Sequence, residues 1–184
     1  MENLQEIING CKKASITHQK ALYSLYSKII YNISLKYCKN PTDAEDNLHD
    51  TFIEAFTNIE SFKNKGSFEG WLKRIAINKA ISKYKYSFNF KDLDNLIYPI
   101  AETEIQLNDQ QINLDQLLSL IQELPNQYRI VFNLYELDEY SHKEIAVILN
   151  ITEGTSKSNL FKAKSILKSK IIQITSKENI KYGL

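Results

Sequence analysis

Four places in this chain of 184 residues combine residue types and spacings that could do chemistry. One is the group Glu45, Asp46, His49 and Asp50, in which Asp46 and His49 stand as a D-x-x-H pair between further carboxylates. Carboxylate metal sites in helical bundles need matching inward ligands from a second helix, and none is evident here. No metal and no other cofactor is therefore expected, and a metal-dependent helical enzyme stays only as an alternative. Cys11 and Cys38 are isolated thiols without a C-x-x-C partner, which fits reduced cysteines in the cytosol and excludes a cysteine-rich zinc site. Between Phe62 and Tyr86, the aromatics Phe62, Phe68, Trp71, Tyr84 and Tyr86 alternate with Lys73, Arg74, Lys79, Lys83 and Lys85. Rings give unstacked bases a platform and lysines follow the backbone, so this mixture suits single-stranded nucleic acid; for Phe62 and Phe68, plain core packing is the competing account. The last group is Thr155, Ser158, Asn159 and Lys162, edged by Lys157, Lys164 and Lys168. Short polar side chains that reach base edges, with ammonium groups beside them for phosphates, suit the major groove of duplex DNA.

These side chains need helices to hold them. Ser141 with Glu144 is a capping box that starts a short helix with Ile145, Ile148 and Leu149 inward; Asn150 can end it in the left-handed region, and Thr152 can cap the next. In that second helix Ser156, Leu160, Ala163, Leu167 and Ile171 share the inner side, which makes a helix-turn-helix with the polar group outside. Leu114, Leu117, Leu118, Ile121 and Leu124 form a supporting stripe that stops at Pro125, and a helix over about 127–137 turns Tyr128, Val131, Phe132 and Tyr135 inward. Earlier, Ala21, Leu22, Leu25, Ile29 and Ile33 give a helical core face within 15–39, and Thr42 to Glu45 reads as a capping box for the next helix. That helix buries Ala44, Leu48, Phe52, Ala55, Phe56 and Ile59 and lines up Asp43, Asp46, Asp50 and Glu54 as an acidic stripe. Like charges at this spacing cost a few tenths of a kcal/mol per pair, roughly, which a basic partner surface would recover. Ser67 can cap the basic helix, whose inner face is Phe68, Leu72, Ile75, Ala76 and Ala80.

Charge is segregated. Residues 1–88 carry 13 Lys and Arg against 9 Asp and Glu, residues 89–125 carry 1 against 7, and residues 126–184 carry 9 against 6. Two basic blocks around an acidic connector point to two nucleic-acid-facing domains. The expected fold is all-α: a domain over 10–88, a flexible acidic linker over 89–112, a helix-turn-helix domain over 113–174 and a tail over 175–184. No apolar run approaches a membrane span and the first residues lack the apolar block of a signal peptide, so a cytoplasmic chain without membrane insertion is expected.

The wording goes further than the spacing. LPNQYRIVF, YSHKEIA and EGTSKSNL resemble the C-terminal DNA-reading domain of the sigma-70 family, in particular its extracytoplasmic-function group. DAEDNLHDTFIEAF resembles that family's polymerase-binding segment, and FKNKGSFEGWLKRIAINKAISKYK its promoter-melting segment. The resemblance implies a sigma factor that directs core RNA polymerase to promoters, catalyses nothing itself, and is in many relatives held by an anti-sigma factor. It implies that Asp43, Asp46, Asn47 and Asp50 dock on polymerase. It also implies that the loop from Asn64 through Lys65, Gly66 and Ser67 to Phe68 captures a flipped minus-10 base, with Trp71, Arg74, Asn78, Lys79 and Lys83 along the melted strand. Thr155, Lys157, Ser158, Asn159 and Lys162 would then read the minus-35 duplex. Asp92, Asp94, Glu102 and Glu104 of the linker would mimic nucleic acid near the polymerase active site. Ser156 replaces a frequent valine, Lys83 a frequent arginine, and Asn159 stands where an arginine commonly reads a base; Asn favours adenine where Arg favours guanine. A conventional dimeric helix-turn-helix regulator is the remaining alternative, one that would need neither the acidic nor the aromatic-basic helix.

Overall fold

The computed structural model describes residues 3–87 and 113–181, except the side chains of 85–87 and 175–181. The linker 89–112, with Asp92, Asp94, Glu102 and Glu104, lies outside the described residues. The chain divides into two units, residues 1–87 and 88–184, and among the described residues every regular element is helical.

The first unit opens with a helix the sequence reading did not include, α1 (Leu4–Lys12). Asn3 and Glu6 form a capping box, each side chain bonded to the other's backbone N–H at 2.9 Å. Ile7, Ile8 and Cys11 of α1 are buried, with α2 (Ile16–Tyr37) packed against it. Gly10 permits the approach: a Cβ there would lie 2.2 Å from His18 Cγ. The compact unit thus takes in α1, ahead of residue 10. In α2 the buried line is Leu22, Ile30, Ile33 and Tyr37, while Leu25, expected inside, is 53% exposed. The reason is geometric, since α2 packs against both α3 and α4 and the shared face is centred on the Leu22–Ile30 line, away from Leu25.

Helix α3 (Pro41–Thr57) starts one step before the expected box. Asn40, not Thr42, is its cap: Asn40 Oδ1 accepts from Asp43 N at 2.8 Å, and Pro41 takes the first helical position, where no N–H is needed. After a 3-10 turn (Ile59–Ser61) comes α4 (Phe68–Ser87), capped by Ser67 Oγ, which accepts from Gly70 N at 3.0 Å. Helices α2, α3 and α4 pack on one another around Leu22, Phe52, Leu72 and Ala76, all buried. Cys11 and Cys38 are buried thiols, and burial raises the Cys11 pKa.

The second unit holds α5 (Leu114–Gln122), α6 (Asn126–Phe132), α7 (His142–Leu149) and α8 (Glu153–Lys181). Its core joins Leu120, Ile121, Leu124 and Tyr128 to Ala163, Ile166 and Leu167. Leu114, placed in the inner stripe by periodicity, is 80% exposed. One helix was expected over 127–137, but α6 passes into a π-helical turn, Asn133–Leu137. Ile130 and Leu134 are inward with Val131, and Tyr135, at the wider turn, is exposed, against expectation. Buried Arg129 closes the α5–α6 loop, donating to the carbonyls of Gln122 (3.0 Å) and Leu124 (3.2 Å). Helix α8 continues to Lys181, through most of the expected tail.

Candidate nucleic-acid interface

In the second unit the turn between α7 and α8 is built from its caps. Ser141 Oγ accepts from Glu144 N at 3.3 Å, and the Glu144 carboxylate accepts from the Ser141 N–H and hydroxyl at 2.9 and 2.7 Å. Those two bonds hold the Glu144 carboxyl below its ordinary pKa. Asn150 ends α7 at φ 57°, ψ 51°, and Thr152 Oγ1 accepts from Thr155 N at 3.0 Å to start α8.

This geometry turns Thr155, Lys157 and Ser158 outward, all exposed. Asn159 is corrected: it is 8% exposed, on the edge of the core, because it follows the outward line by one residue and so turns about 100° toward the bundle. Lys162 is half-buried, its ammonium 5.8 Å from the centroid of the Tyr128 ring. Phe161 was missed; it is 58% exposed in the middle of the outer face, three residues after Ser158. Periodicity scores an aromatic as core, but that i+3 spacing was the available signal.

A polar clamp stands behind this face. His142 stacks on Tyr135 with ring centroids 4.4 Å apart and an interplanar angle of 21°, and its Nδ1 lies 2.9 Å from Oγ of fully buried Ser156. Burial lowers the His142 pKa, and the neighbouring Lys157 cation lowers it further, with Glu153 opposing.

In the first unit, the loop before α4 curls through two left-handed residues, Asn64 at φ 57° and Gly66 at φ 94°, and residues 63–67 are exposed. Its floor is aromatic. Phe62 meets Phe68 edge-on at 5.1 Å, and Trp71 lies 5.6 Å from Phe62 and 5.3 Å from Phe68. The Phe68 ring is buried, so it supports the loop and cannot itself touch a ligand; Trp71 is half-buried. Along α4, Arg74, Asn78 and Lys83 are exposed and Lys79 partly so.

The acidic stripe of α3 lies against that basic helix. Lys79 Nζ is 2.6 Å from a Glu54 carboxylate oxygen, and Lys83 Nζ is 3.5 Å from Asp50 and 3.8 Å from Asp46. Asp43 is turned to its cap, accepting from Asn40 Nδ2 at 3.0 Å. Asn47 is fully buried and donates to Ser34 Oγ (2.9 Å) and to the Ala76 carbonyl (3.1 Å). It ties three helices together and cannot meet a partner on the outer face, which corrects its expected role. Among the described residues, no three His, Cys, Asp or Glu side chains converge on a point where a metal ion could sit.

Two family models match the chain: Sigma-70 region 2 over residues 22–87, and Sigma-70, region 4 over residues 114–167. The ECF RNA polymerase sigma factor SigM of Bacillus subtilis (strain 168) is 32% identical over 152 residues, covering 80% of this chain and 91% of that protein. This chain belongs to the ECF sigma factors. The sigma factor SigW of the same organism is 30% identical over 181 residues, covering 91% of this chain and 96% of its own length. A likeness in fold comes from the sigma factor RpoE of Bartonella quintana, solved in complex with the anti-sigma factor NepR. It aligns at a TM-score of 0.52 and 22% identity, over 82% of this chain and 94% of that one. The region 2 match runs from Leu22, within α2, through α4 of this sigma factor, and the region 4 match takes in α5 to α7 and the first half of α8. Helix α1 lies outside both. Among the described residues, no helix of this sigma factor is long and apolar enough to cross a membrane.

Proposed function

We propose that this sigma factor directs core RNA polymerase to promoters with its two units in different roles. Asp46 and Asp50, with Asp43 at the edge, present α3 to a basic surface of polymerase. The loop of Asn64, Lys65, Gly66 and Ser67 receives a base flipped from the minus-10 strand, at a cost of about a few kcal/mol of unstacking, with Trp71 at its side. Arg74, Asn78, Lys79 and Lys83 follow that strand's phosphates. In the second unit Thr155, Lys157, Ser158 and Lys162 face the minus-35 major groove, and Phe161 supplies an apolar contact of the kind that thymine methyl groups accept. The chain contributes binding and placement and no catalysed step. It would work in the cytosol, and a protein inhibitor of the anti-sigma kind, such as the one solved on RpoE, is a candidate partner.

The observation that carries this reading is the outward face of α8, where Thr155, Lys157, Ser158 and Phe161 are all exposed beyond a capped turn. Run-off transcription with purified core polymerase, with and without the chain, tests it. The chain should stimulate specific transcripts, and Asp46→Arg with Asp50→Arg should abolish the stimulation while helicity is kept. A chain that binds duplex operators as a dimer and leaves polymerase output unchanged would be a conventional regulator instead.

A further inference from the structure

On the inner side of α8, beside the buried apolar Leu160, Ala163 and Leu167, stands the hydroxyl of fully buried Ser156. Its neighbours in sequence, Thr155, Lys157 and Ser158, are exposed side chains proposed to meet duplex DNA. His142, the first residue of α7, reaches Ser156 from the other helix of the turn, its Nδ1 2.9 Å from Oγ. The same ring lies nearly flat on Tyr135 of the π-helical turn, the centroids 4.4 Å apart. Three elements thus meet at one side chain. Burial and the Lys157 cation lower the His142 pKa, so the ring is uncharged at neutral pH. The bond then forms in either tautomer, because a hydroxyl both donates and accepts. It has a preferred length and direction, whereas the apolar contacts beside it are non-directional, so it sets how the first turn of α8 sits against α7.

We propose that His142 is a positioning residue for base recognition: through Ser156 it fixes the first turn of α8 so that Thr155 and Ser158 meet base edges in one register. This rests on the reading of α8 as the minus-35 face. Short side chains tolerate little displacement, since a hydrogen bond weakens steeply away from its proper distance and angle. Lysines absorb the same displacement with their flexible stems, and the phosphates they meet carry no sequence information. Loss of the bond therefore costs discrimination between sequences before it costs attraction to DNA as such. In this role His142 acts through the helix it braces.

The test uses holoenzyme assembled from core polymerase and the full chain, and a pool of duplexes of about 30 base pairs with roughly ten randomised, read against core polymerase alone. Sequencing the captured duplexes gives the enrichment of the preferred sequence over the pool average. The fraction captured in the first, unselected round gives attraction to DNA in general. His142→Phe keeps a ring on Tyr135 without the bond, and Ser156→Ala removes the hydroxyl. Each should lower enrichment about three- to tenfold, the span of one lost hydrogen bond, with first-round capture within about twofold of the parent. The double variant should lose no more than either single one, as partners in one bond do. His142→Asn places an amide where Nδ1 stood and should keep most of the enrichment. Enrichment equal to the parent's in both single variants overturns the proposal. So do enrichment and first-round capture that fall in parallel, losses that multiply in the double variant, or a His142→Asn chain no better than His142→Phe. Where His142→Phe loses helicity, Ser156→Ala, the milder change, decides. A parent that enriches a sequence while the variants match it loses only the positioning role, whereas a parent that captures duplexes without enriching any loses the minus-35 reading of α8 and the positioning role with it.

Discussion

At the scale of single residues, two buried polar groups in the second unit carry measurable consequences. Arg129 is 3% exposed and its guanidinium serves the carbonyls of Gln122 and Leu124, the turn on which α6 is set against α5. Arg129→Ala leaves those oxygens without their charged donor, a loss of about 2–3 kcal/mol. Hydrogen exchange followed by mass spectrometry should show faster exchange in α5 and α6 and unchanged exchange in α2 to α4. His142 makes a prediction in pH. The fold lowers its pKa beneath the ordinary 6.5, through burial first and the Lys157 cation second, so the unfolded chain binds that proton more readily than the folded one. The stability it contributes is complete above that ordinary value and is lost as pH falls below it. Denaturant unfolding of the second unit should weaken from pH 7.5 to 5.5, and His142→Asn should flatten this acid-side loss.

Which single residues were legible follows from the same chemistry. Ser156 could be placed inward because helical period alone puts it there, and His142 stands ready to take its hydroxyl. Asn159 was placed outward because a polar residue on a helix normally faces water, and Asn47 was expected at polymerase only from the family resemblance. Asn47 is buried with its Nδ2 donating to Ser34 and to the Ala76 carbonyl, from two other helices. Such distant partners leave no mark on local spacing. Phe161 is the converse, an apolar residue exposed on the outer face of α8.

At the scale of elements, caps were the most readable signals and also the place where a close competitor misled. Ser67, Ser141, Asn150 and Thr152 act as their types suggest. Thr42 also fits a box, yet Asn40 wins, because Asn is at least as good an N-cap as Thr and Pro41 suits the first helical position. Asn40→Ala should lower the stability of the first unit by about 1 kcal/mol, and Thr42→Ala by much less. Trp71, packed on Phe62 and Phe68, reports that unfolding by its fluorescence. Helix α1 was missed although its local signals, the Asn3–Glu6 capping box and the apolar Ile7, Ile8 and Cys11, match those that marked the equally short α5; Gly10 then lets it lie against His18. The π-helical turn after α6 could not be read either, since a fixed period of 3.6 residues carries the expected face past the point where the backbone changes pitch.

At the scale of the whole molecule, the chain divides into two units, each with its own buried core. The charge blocks of the sequence announced this before any fold was known, with lysine dominating both basic segments. Lysine contacts act as point charges whose binding free energy is largely counterion release, so each lost phosphate contact reduces the salt dependence of binding by about one unit of slope. Lys157→Gln should therefore weaken minus-35 duplex binding by the holoenzyme on every sequence alike and flatten its salt slope, leaving capture of a single minus-10 strand unchanged. Ser158→Ala, in contrast, removes an exposed hydroxyl proposed to meet base edges and should relax sequence preference with the slope intact. Filter binding across a salt series, on matched duplex and single-strand probes, separates the two. If Lys157→Gln shifted the single-strand curve as much as the duplex curve, the roles would not be divided between the units.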